Sequence, residues 1–208
     1  MRKLTACVLM MTLLLTGCKA GGEETPEEAA LNLRDTYLTA AGWAGDADIS
    51  ASVGDKVFDF TLAVQWRREG DTVLTITAPE LLSGITARIA KGETVLEYDG
   101  AGLSLGLLDG KGLTAVSAVP WIMDQIDQGY MAKCAWAGEN GELLQITFRD
   151  PEAKPGEGTE YLLAFDRQSC ALLSAEVSVD GAQVLSAQIH NFTMELNEND
   201  TGNGENLG

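Results

Sequence analysis

The sequence predicts an α+β protein, mainly β, that is built on a single large antiparallel sheet. Apolar and polar side chains alternate in about ten short segments, and a period of two is typical of strands with one buried face. Turn sequences rich in Gly, Asp and Asn separate these segments. Two other stretches follow the helical period. About ten strands in one domain must form a sheet that curls.

The N-terminal segment, residues 1–17, is predicted to be a lipoprotein signal peptide. Arg2 and Lys3 precede an apolar run that is too short to span a bilayer. The run ends in Leu-Thr-Gly-Cys, which fills the four positions of a lipobox and would make Cys18 the first mature residue. We expect a diacylglycerol on the Cys18 thiol to anchor the chain on the extracytoplasmic side of the cell membrane. The alternative is an ordinary secretory signal or a short transmembrane segment.

The chain is strongly acidic. Its 208 residues carry a formal net charge of −17. Loss of the signal removes Arg2 and Lys3 as well, so 191 residues remain and the charge becomes more negative by two, at −19. Such a chain repels phosphate backbones and anionic headgroups, so we expect no nucleic-acid partner. Membrane attachment is expected from the lipid alone, and the length suits one domain.

Two cysteines remain after processing. Cys7 leaves with the signal and Cys18 is expected to carry lipid, which leaves Cys134 and Cys170. In an exported protein this pair is a possible disulfide, which would close a loop of about 35 residues and contribute about 3 to 4 kcal/mol in the chain-entropy model. Two buried free thiols are an equally ordinary alternative.

A helix is predicted over residues 25–41. Thr25 is a candidate N-cap, Pro26 suits the first helical position, and Glu28 completes a capping box. Apolar residues then recur on one face, and Gly42 is expected to end the helix. The predicted organisation is a signal peptide (1–17), a tether (18–24), one domain (25–196) and a disordered polar tail (197–208).

Strands are predicted along most of the domain. The clearest one covers residues 57–67, in which five large apolar side chains share one face. A turn at residues 68–71 leads to a return strand. Residues 120–130 follow the helical period, so a second short helix is expected. The predicted strands are residues 46–53, 57–67, 72–78, 85–90, 94–98, 103–107, 143–149, 160–165, 175–179 and 183–194.

The sequence offers no evident catalytic constellation. His190 is the single histidine, and no Gly-x-Ser-x-Gly elbow accompanies it. Asp46 and Asp48 lack the spacing of a calcium loop. The Gly-rich residues 100–106 lack the Gly-Lys-Ser/Thr ending of a P-loop. We therefore expect neither an enzyme nor a bound metal or cofactor.

Apolar and aromatic side chains are the remaining candidates for a site. A broad sheet curls over more volume than two short helices readily fill, which favours a groove or cavity on its concave side. Alternatively, the same side chains fill an ordinary core. The candidate lining residues are Phe58, Phe60, Leu62, Val64, Trp66, Leu74, Ile76, Tyr98, Trp121 and Met123.

A lipobox and an amphipathic helix precede long strands, one of which ends at Pro79, and the next hairpin contains Tyr98-Asp99. The order of these features resembles the LolA/LolB-like superfamily of lipoprotein carriers. Family members carry an aromatic residue two places before this tyrosine, where this chain has Leu96. The resemblance covers residues 25–195. It implies an open half-barrel that wraps around helices on its concave side, with a cavity that holds acyl chains.

Two functions of different classes follow from these features. The first is a membrane-anchored, non-enzymatic lipoprotein that binds a lipid or another hydrophobic ligand in the half-barrel, in envelope lipid or lipoprotein handling. The second is a structural adaptor with a plugged cavity that binds an envelope protein or, as the resemblance implies, a spore-germination protein. A monomer is expected in either case. A continuous apolar cavity larger than about 300 Å³ would favour the first function.

Overall fold

The computed structural model describes residues 24–91, 93–107 and 115–197. Together they form one open antiparallel sheet of eleven strands with two α-helices on its inner face. In chain order the elements are α1 (Pro26–Thr39), β1 (Ala40–Val53), β2 (Lys56–Arg67), β3 (Thr72–Ala78), a 3-10 turn (Glu80–Leu82), β4 (Thr86–Ala90), β5 (Glu93–Tyr98), β6 (Ala101–Leu107), α2 (Ala115–Gln128), β7 (Met131–Ala137), β8 (Leu143–Arg149), β9 (Thr159–Asp166), β10 (Leu172–Val179) and β11 (Ala182–Leu196).

The sheet curls without closing into a barrel. Its strand order is β6-β5-β4-β3-β2-β1-β11-β10-β9-β8-β7, so β6 and β7 are the two edges. β1 is the central strand of this order. It pairs with β2 on one side and with the last strand, β11, on the other. The mainly β half-barrel is therefore confirmed, with one strand more than the ten predicted segments.

Helix α1 begins with the predicted capping box. The Thr25 hydroxyl accepts the N–H of Glu28 at 3.2 Å, and the Glu28 carboxylate accepts the N–H of Thr25 at 3.0 Å. The helix ends at Thr39, two residues before the predicted end, because the chain passes directly into β1. Gly42 lies inside β1, where a Cβ atom would stand 2.4 Å from the carbonyl oxygen of Trp66. This glycine therefore permits close strand pairing and does not end the helix.

Helix α2 differs from its predicted range of 120–130. It covers Ala115–Gln128, with Pro120 inside it. The predicted start at Pro120 is therefore wrong, because the helix begins five residues earlier. Ala118 and Val119, which precede the proline, are buried, so tertiary packing holds the additional helical turn.

Two strands also differ from the sequence analysis. β1 begins at Ala40, six residues before the predicted start, in a stretch of small residues that shows no clear alternation. β7 was not predicted as a strand, because its alanines give a weak period of two. Small side chains carry little of the hydrophobic signal by which strands are detected in a sequence.

The core lies between the two helices and the inner face of the sheet, which is the face that carries Ile49 on β1 and Leu62 on β2. Tyr37 of α1 and Ile126 of α2 have no exposed surface. The ring of Tyr37 packs edge-on against Phe165 of β9, with ring centres 5.7 Å apart. The middle of the half-barrel is therefore occupied by the protein's own helices.

Two arginines attach the helices to each other and to the sheet. Arg34 of α1 donates to the carbonyl oxygens of Ile126 and Gly129, at 2.8 and 2.5 Å. Arg68, in the turn between β2 and β3, donates twice to the carboxylate of Asp127 on α2, at 2.9 and 3.0 Å. These polar contacts fix the position of α2 inside the sheet.

Candidate functional site

Half of the predicted lining residues belong to the closed core. Each of these side chains is at most 8% exposed and packs in the cluster that includes both helices. Trp43 Nε1 lies 3.1 Å from the sulfur of Met123, so α2 sits directly on the inner face of β1. These side chains therefore fill the middle of the half-barrel instead of lining an open cavity. They are Leu62, Val64, Trp66, Leu74 and Met123.

The other predicted lining residues lie at or beyond the margin of this core. Phe60, Ile76 and Trp121 are half-buried and pack against it. Phe58 is 43% exposed and Tyr98 is 56% exposed. The side chains on the inner face of β2 thus become steadily less buried toward Phe58, although they all share that face.

Strand register places Tyr98 and Leu103 on the same inner face. Leu96 of β5 pairs with the core residue Ala87 of β4 and with Leu103 of β6. Tyr98 shares the face of Leu96 because side chains alternate along a strand. Leu105 follows on β6 and has no partner on β5. Leu103 and Leu105 are 61% and 50% exposed.

We call the four exposed residues Phe58, Tyr98, Leu103 and Leu105 the uncovered patch. Phe58 and Tyr98 lie at the same end of the sheet, beside the β1–β2 and β5–β6 turns. Sequence reasoning selected these two but missed both leucines. The signal was present, since residues 103–107 were predicted as a strand with alternating apolar side chains.

The charged residues of the neighbouring strands lie on the outer face. The Arg88 guanidinium lies 3.1 Å from the carboxylate of Asp71 and 3.7 Å from that of Glu97. On the inner face, Thr94 of β5 is fully buried, and among the described residues its hydroxyl has no hydrogen-bond partner. The inner face of β4 and β5 thus presents apolar side chains beside one buried hydroxyl.

A pocket of about 490 Å³ with both polar and apolar lining residues lies on the outer face. Asp48, in its lining, accepts a hydrogen bond from the Thr61 hydroxyl at 2.8 Å and lies 3.1 Å from His190 Nε2. His190 itself is exposed. Among residues 24–91, 93–107 and 115–197, no group of three His, Cys, Asp or Glu side chains is arranged to hold a metal ion. The pocket is lined by Asp48, Ile49, Ser50, Asp59, Phe60, Thr61, Ala78, Pro79, Ser186 and Gln188.

Cys134 and Cys170 are both free and half-buried. Cys134 lies on β7 and Cys170 follows β9, with β8 between these strands. Burial raises the pKa of each thiol, and the charge of Asp166 raises that of Cys170 further. The thiolate that disulfide formation requires is therefore disfavoured. The possible bridge is not formed in this structure.

Several predicted features lie outside the described residues. Cys18 belongs to residues 1–23, which contain the predicted signal peptide and most of the tether. Residues 92, 108–114 and 198–208 are also outside, so the disordered tail stays a prediction. In the described part of the chain, neither helix has the length and apolar character needed to cross a membrane.

Comparison with known proteins finds structural neighbours without a match in sequence. No family model matches the chain, and no curated protein matches it. Similar solved structures include an uncharacterized conserved protein from Thermus thermophilus, which is 10% identical with a TM-score of 0.48. The similarity covers 87% of this chain and 95% of that one.

Two further neighbours have more descriptive names. A LolA superfamily protein from Nitrosomonas europaea is 11% identical with a TM-score of 0.41, and the match covers 84% of this chain and 94% of that one. A putative outer membrane lipoprotein-sorting protein domain from Vibrio parahaemolyticus is 11% identical with a TM-score of 0.43, covering 86% and 97%. The open eleven-stranded sheet around two helices agrees with the open half-barrel that the sequence analysis predicted.

Proposed function

We propose that this chain is a lipid-anchored, non-enzymatic envelope protein that binds the acyl chain of a lipid at the uncovered patch. The observation that supports the proposal is the exposure of Phe58, Tyr98, Leu103 and Leu105 at the margin of a closed core. Exposed apolar surface of this kind is typical of a binding site.

An acyl chain matches the chemistry of the patch. Removing a methylene group from water contributes about 0.8 kcal/mol, and side chains that are half-exposed still have apolar surface to bury. The nearest charged side chains of β4 and β5, Arg88 and Glu97, pair on the opposite face, so an acyl chain on the inner face avoids them. The buried middle of the sheet confines the ligand to this end.

The expected lipid on Cys18 would keep the patch near its ligand. The tether of residues 18–24 spans at most a few tens of ångströms, at about 3.3 Å per extended residue. The domain therefore samples only the region next to the membrane. This requirement is part of the proposal, because Cys18 lies outside the described residues.

The proposal can be tested in living cells with a photoreactive amino acid. Benzoylphenylalanine replaces Phe58 in one variant and Val57 in a matched control. Val57 is the adjacent residue of β2, is 63% exposed, and faces the outer side. After irradiation, mass spectrometry of the purified chain measures the mass added to each variant. We expect a lipid adduct at position 58 at least about tenfold more abundant than at position 57, because a tenfold preference needs only about 1.4 kcal/mol.

A structural adaptor is the second candidate, and the fixed helices favour it. Arg34 and Arg68 attach α2 firmly in the middle of the half-barrel, so the sheet has no need of a ligand to complete its core. In this case the uncovered patch would meet the apolar surface of one protein partner. The same experiment would then give a discrete, larger conjugate at position 58 and no lipid adduct. Equal labelling at positions 57 and 58 would contradict both candidates.

A further inference from the structure

The inner face of β2 changes from charged to apolar along the strand. β2 pairs with β1 without a register shift, so side chains alternate regularly and every second residue from Lys56 faces inward. These inward-facing side chains are, in order, Lys56, Phe58, Phe60 and Leu62. Lys56 is exposed, whereas Phe58 is 43% exposed and Leu62 is 2% exposed. One end of this face is therefore charged and open to water, and the other end is closed core.

The ammonium group of Lys56 has no carboxylate partner in the described part of the chain. The adjacent Asp55 forms no ion pair with it, and Asp59 lies on the outer face, where it accepts a hydrogen bond from Ser50. Several other basic side chains already pair with a carboxylate, namely Arg67, Arg68, Arg88, Arg149 and Lys154. Lys56 can therefore bind an anion without breaking an existing ion pair.

A lipid with an anionic headgroup has the same order of charge and apolar surface as this face. We propose that the ligand of the uncovered patch is such a lipid, with its headgroup paired to the Lys56 ammonium and its acyl chain lying over Phe58 toward Phe60. This inference rests on the proposed function, because it names the class of lipid bound at the same patch. A lysine keeps its ammonium in water while its carbon stem lies along apolar surface, so the stem of Lys56 can cover the part of the acyl chain next to the headgroup.

The acidic character of the whole chain does not prevent this pairing. A net charge of −17 repels anions at a distance. The Debye length is about 8 Å at physiological ionic strength, so distant carboxylates are screened and a headgroup in contact with Lys56 responds mainly to the ammonium. Because the ion pair is exposed, we expect it to favour an anionic lipid by about threefold to fivefold, which is the range open to exposed ion pairs.

Competition between two lipids in one vesicle tests this assignment. The full chain with benzoylphenylalanine at position 58 is reconstituted into vesicles of equal amounts of dioleoyl phosphatidylcholine and dioleoyl phosphatidylglycerol. These lipids have the same acyl chains, so only the charge and structure of the headgroup differ. After irradiation, mass spectrometry measures the ratio of phosphatidylglycerol adduct to phosphatidylcholine adduct. Lys56→Gln removes the ammonium. The matched control is Lys133→Gln, which removes the same charge from an exposed position on β7, at the far edge of the sheet.

We expect the adduct ratio to fall by about threefold to fivefold in Lys56→Gln and to stay unchanged in Lys133→Gln. Lys56→Arg should keep the ratio, because it keeps the charge. High salt should lower the ratio in the chain with Lys56 and leave it unchanged in Lys56→Gln. Equal ratios in Lys56→Gln and Lys133→Gln would overturn the role of Lys56, although the acyl chain would still bind at Phe58. Absence of any lipid adduct would instead contradict the proposed function, and this inference with it.

Discussion

At the scale of single residues, the buried hydroxyl of Thr94 lowers the stability of the folded protein. Its side chain has no exposed surface, and its oxygen has no hydrogen-bond partner in the part of the chain that the structure describes. A buried hydroxyl that loses its water without gaining a partner costs about 1 to 3 kcal/mol, and valine has nearly the same shape. We expect Thr94→Val to raise the free energy of unfolding by about 1 kcal/mol, as measured by urea denaturation.

Thr75→Val is the matched control for this prediction. The Thr75 hydroxyl lies 3.1 Å from that of Thr86, within hydrogen-bond distance. Its removal should lower the free energy of unfolding by about 0.5 to 1.5 kcal/mol. A loss of stability in both variants would mean that the Thr94 hydroxyl has a partner in solution.

The turn after β9 predicts a dependence of stability on pH. The Ser169 hydroxyl and N–H donate to the Asp166 carboxylate at 2.7 and 2.8 Å, and these bonds lower the pKa of Asp166. Between the folded pKa and the unfolded pKa of about 3.9, the unfolded chain binds more protons. The contribution of Asp166 is therefore complete above the unfolded pKa and is lost as the pH falls through the folded pKa.

Ser169→Ala should remove part of this contribution. Because these hydrogen bonds are exposed, we expect the free energy of unfolding to fall by at most about 1 kcal/mol at pH 7. The difference between the variant and the unchanged protein should be smaller in acid, where Asp166 is protonated. An NMR titration should show the pKa of Asp166 rising toward its ordinary value. Gln168→Ala is the control, since Gln168 donates only through its backbone N–H, at 3.2 Å. An unchanged pKa of Asp166 in Ser169→Ala would contradict the assignment.

At the scale of elements, Arg68 connects a turn of the sheet to both helices. It donates to Asp127 on α2 and to the carbonyl oxygen of Tyr37 on α1, the latter at 2.7 Å. The Arg68–Asp127 ion pair is mostly buried. Breaking an exposed ion pair costs less than about 1 kcal/mol of stability, and breaking a buried one costs about 3 to 5 kcal/mol, so an intermediate cost is expected here. We expect Arg68→Ala to lower the free energy of unfolding by about 2 kcal/mol in urea denaturation.

Arg67→Ala is the control for the Arg68→Ala substitution, and Arg67 is the preceding residue in the chain. Arg67 pairs with Glu195 at 3.1 Å, and about half of each side chain is exposed. Removing this ion pair should lower the free energy of unfolding by less than about 1 kcal/mol. Equal effects of the two substitutions would show that Arg68 stabilises the fold no more than a surface arginine does.

The elements also show what local sequence signals can and cannot predict. The capping box of Thr25 and Glu28 is a local signal, and it gave the start of α1 correctly. Gly42 is a local signal too, but it was misread as the end of α1, and the predicted start of α2 at residue 120 was also wrong, because tertiary contacts decide both. Gly42 is required by the approach of Trp66, and Pro120 stands within a helix whose first turns are held by the core.

At the scale of the whole molecule, the alternation of apolar and polar residues predicted which side chains face the inner side of the sheet. It did not predict how deeply each of them is buried. Phe58 and Leu62 lie on the same face of β2, yet one is exposed and the other is buried. The difference arises because the helices cover only part of the sheet. That arrangement depends on contacts such as the one between Arg68 and Asp127, which are 59 residues apart in sequence. The sequence therefore predicts which residues face inward, and the fold determines which of them remain open.

The predicted lipobox makes Cys18 the residue that is expected to anchor the chain to the membrane. A net charge of −17 opposes adhesion to anionic lipids. We expect Cys18→Ala to abolish incorporation of a labelled fatty acid and to move the chain from the detergent phase to the aqueous phase on partitioning. Lys19→Ala, which keeps the thiol, should behave as the unchanged protein does.

The same variant separates anchoring from ligand binding. The uncovered patch belongs to the folded domain, so purified Cys18→Ala with benzoylphenylalanine at position 58 should still form a lipid adduct when lipid vesicles are added. In cells the adduct should fall by at least about tenfold, because the local concentration of membrane lipid around a tethered domain is lost. An undiminished adduct in cells would show that the patch finds its ligand without the anchor, and persistent fatty-acid labelling of Cys18→Ala would place the lipid on another residue.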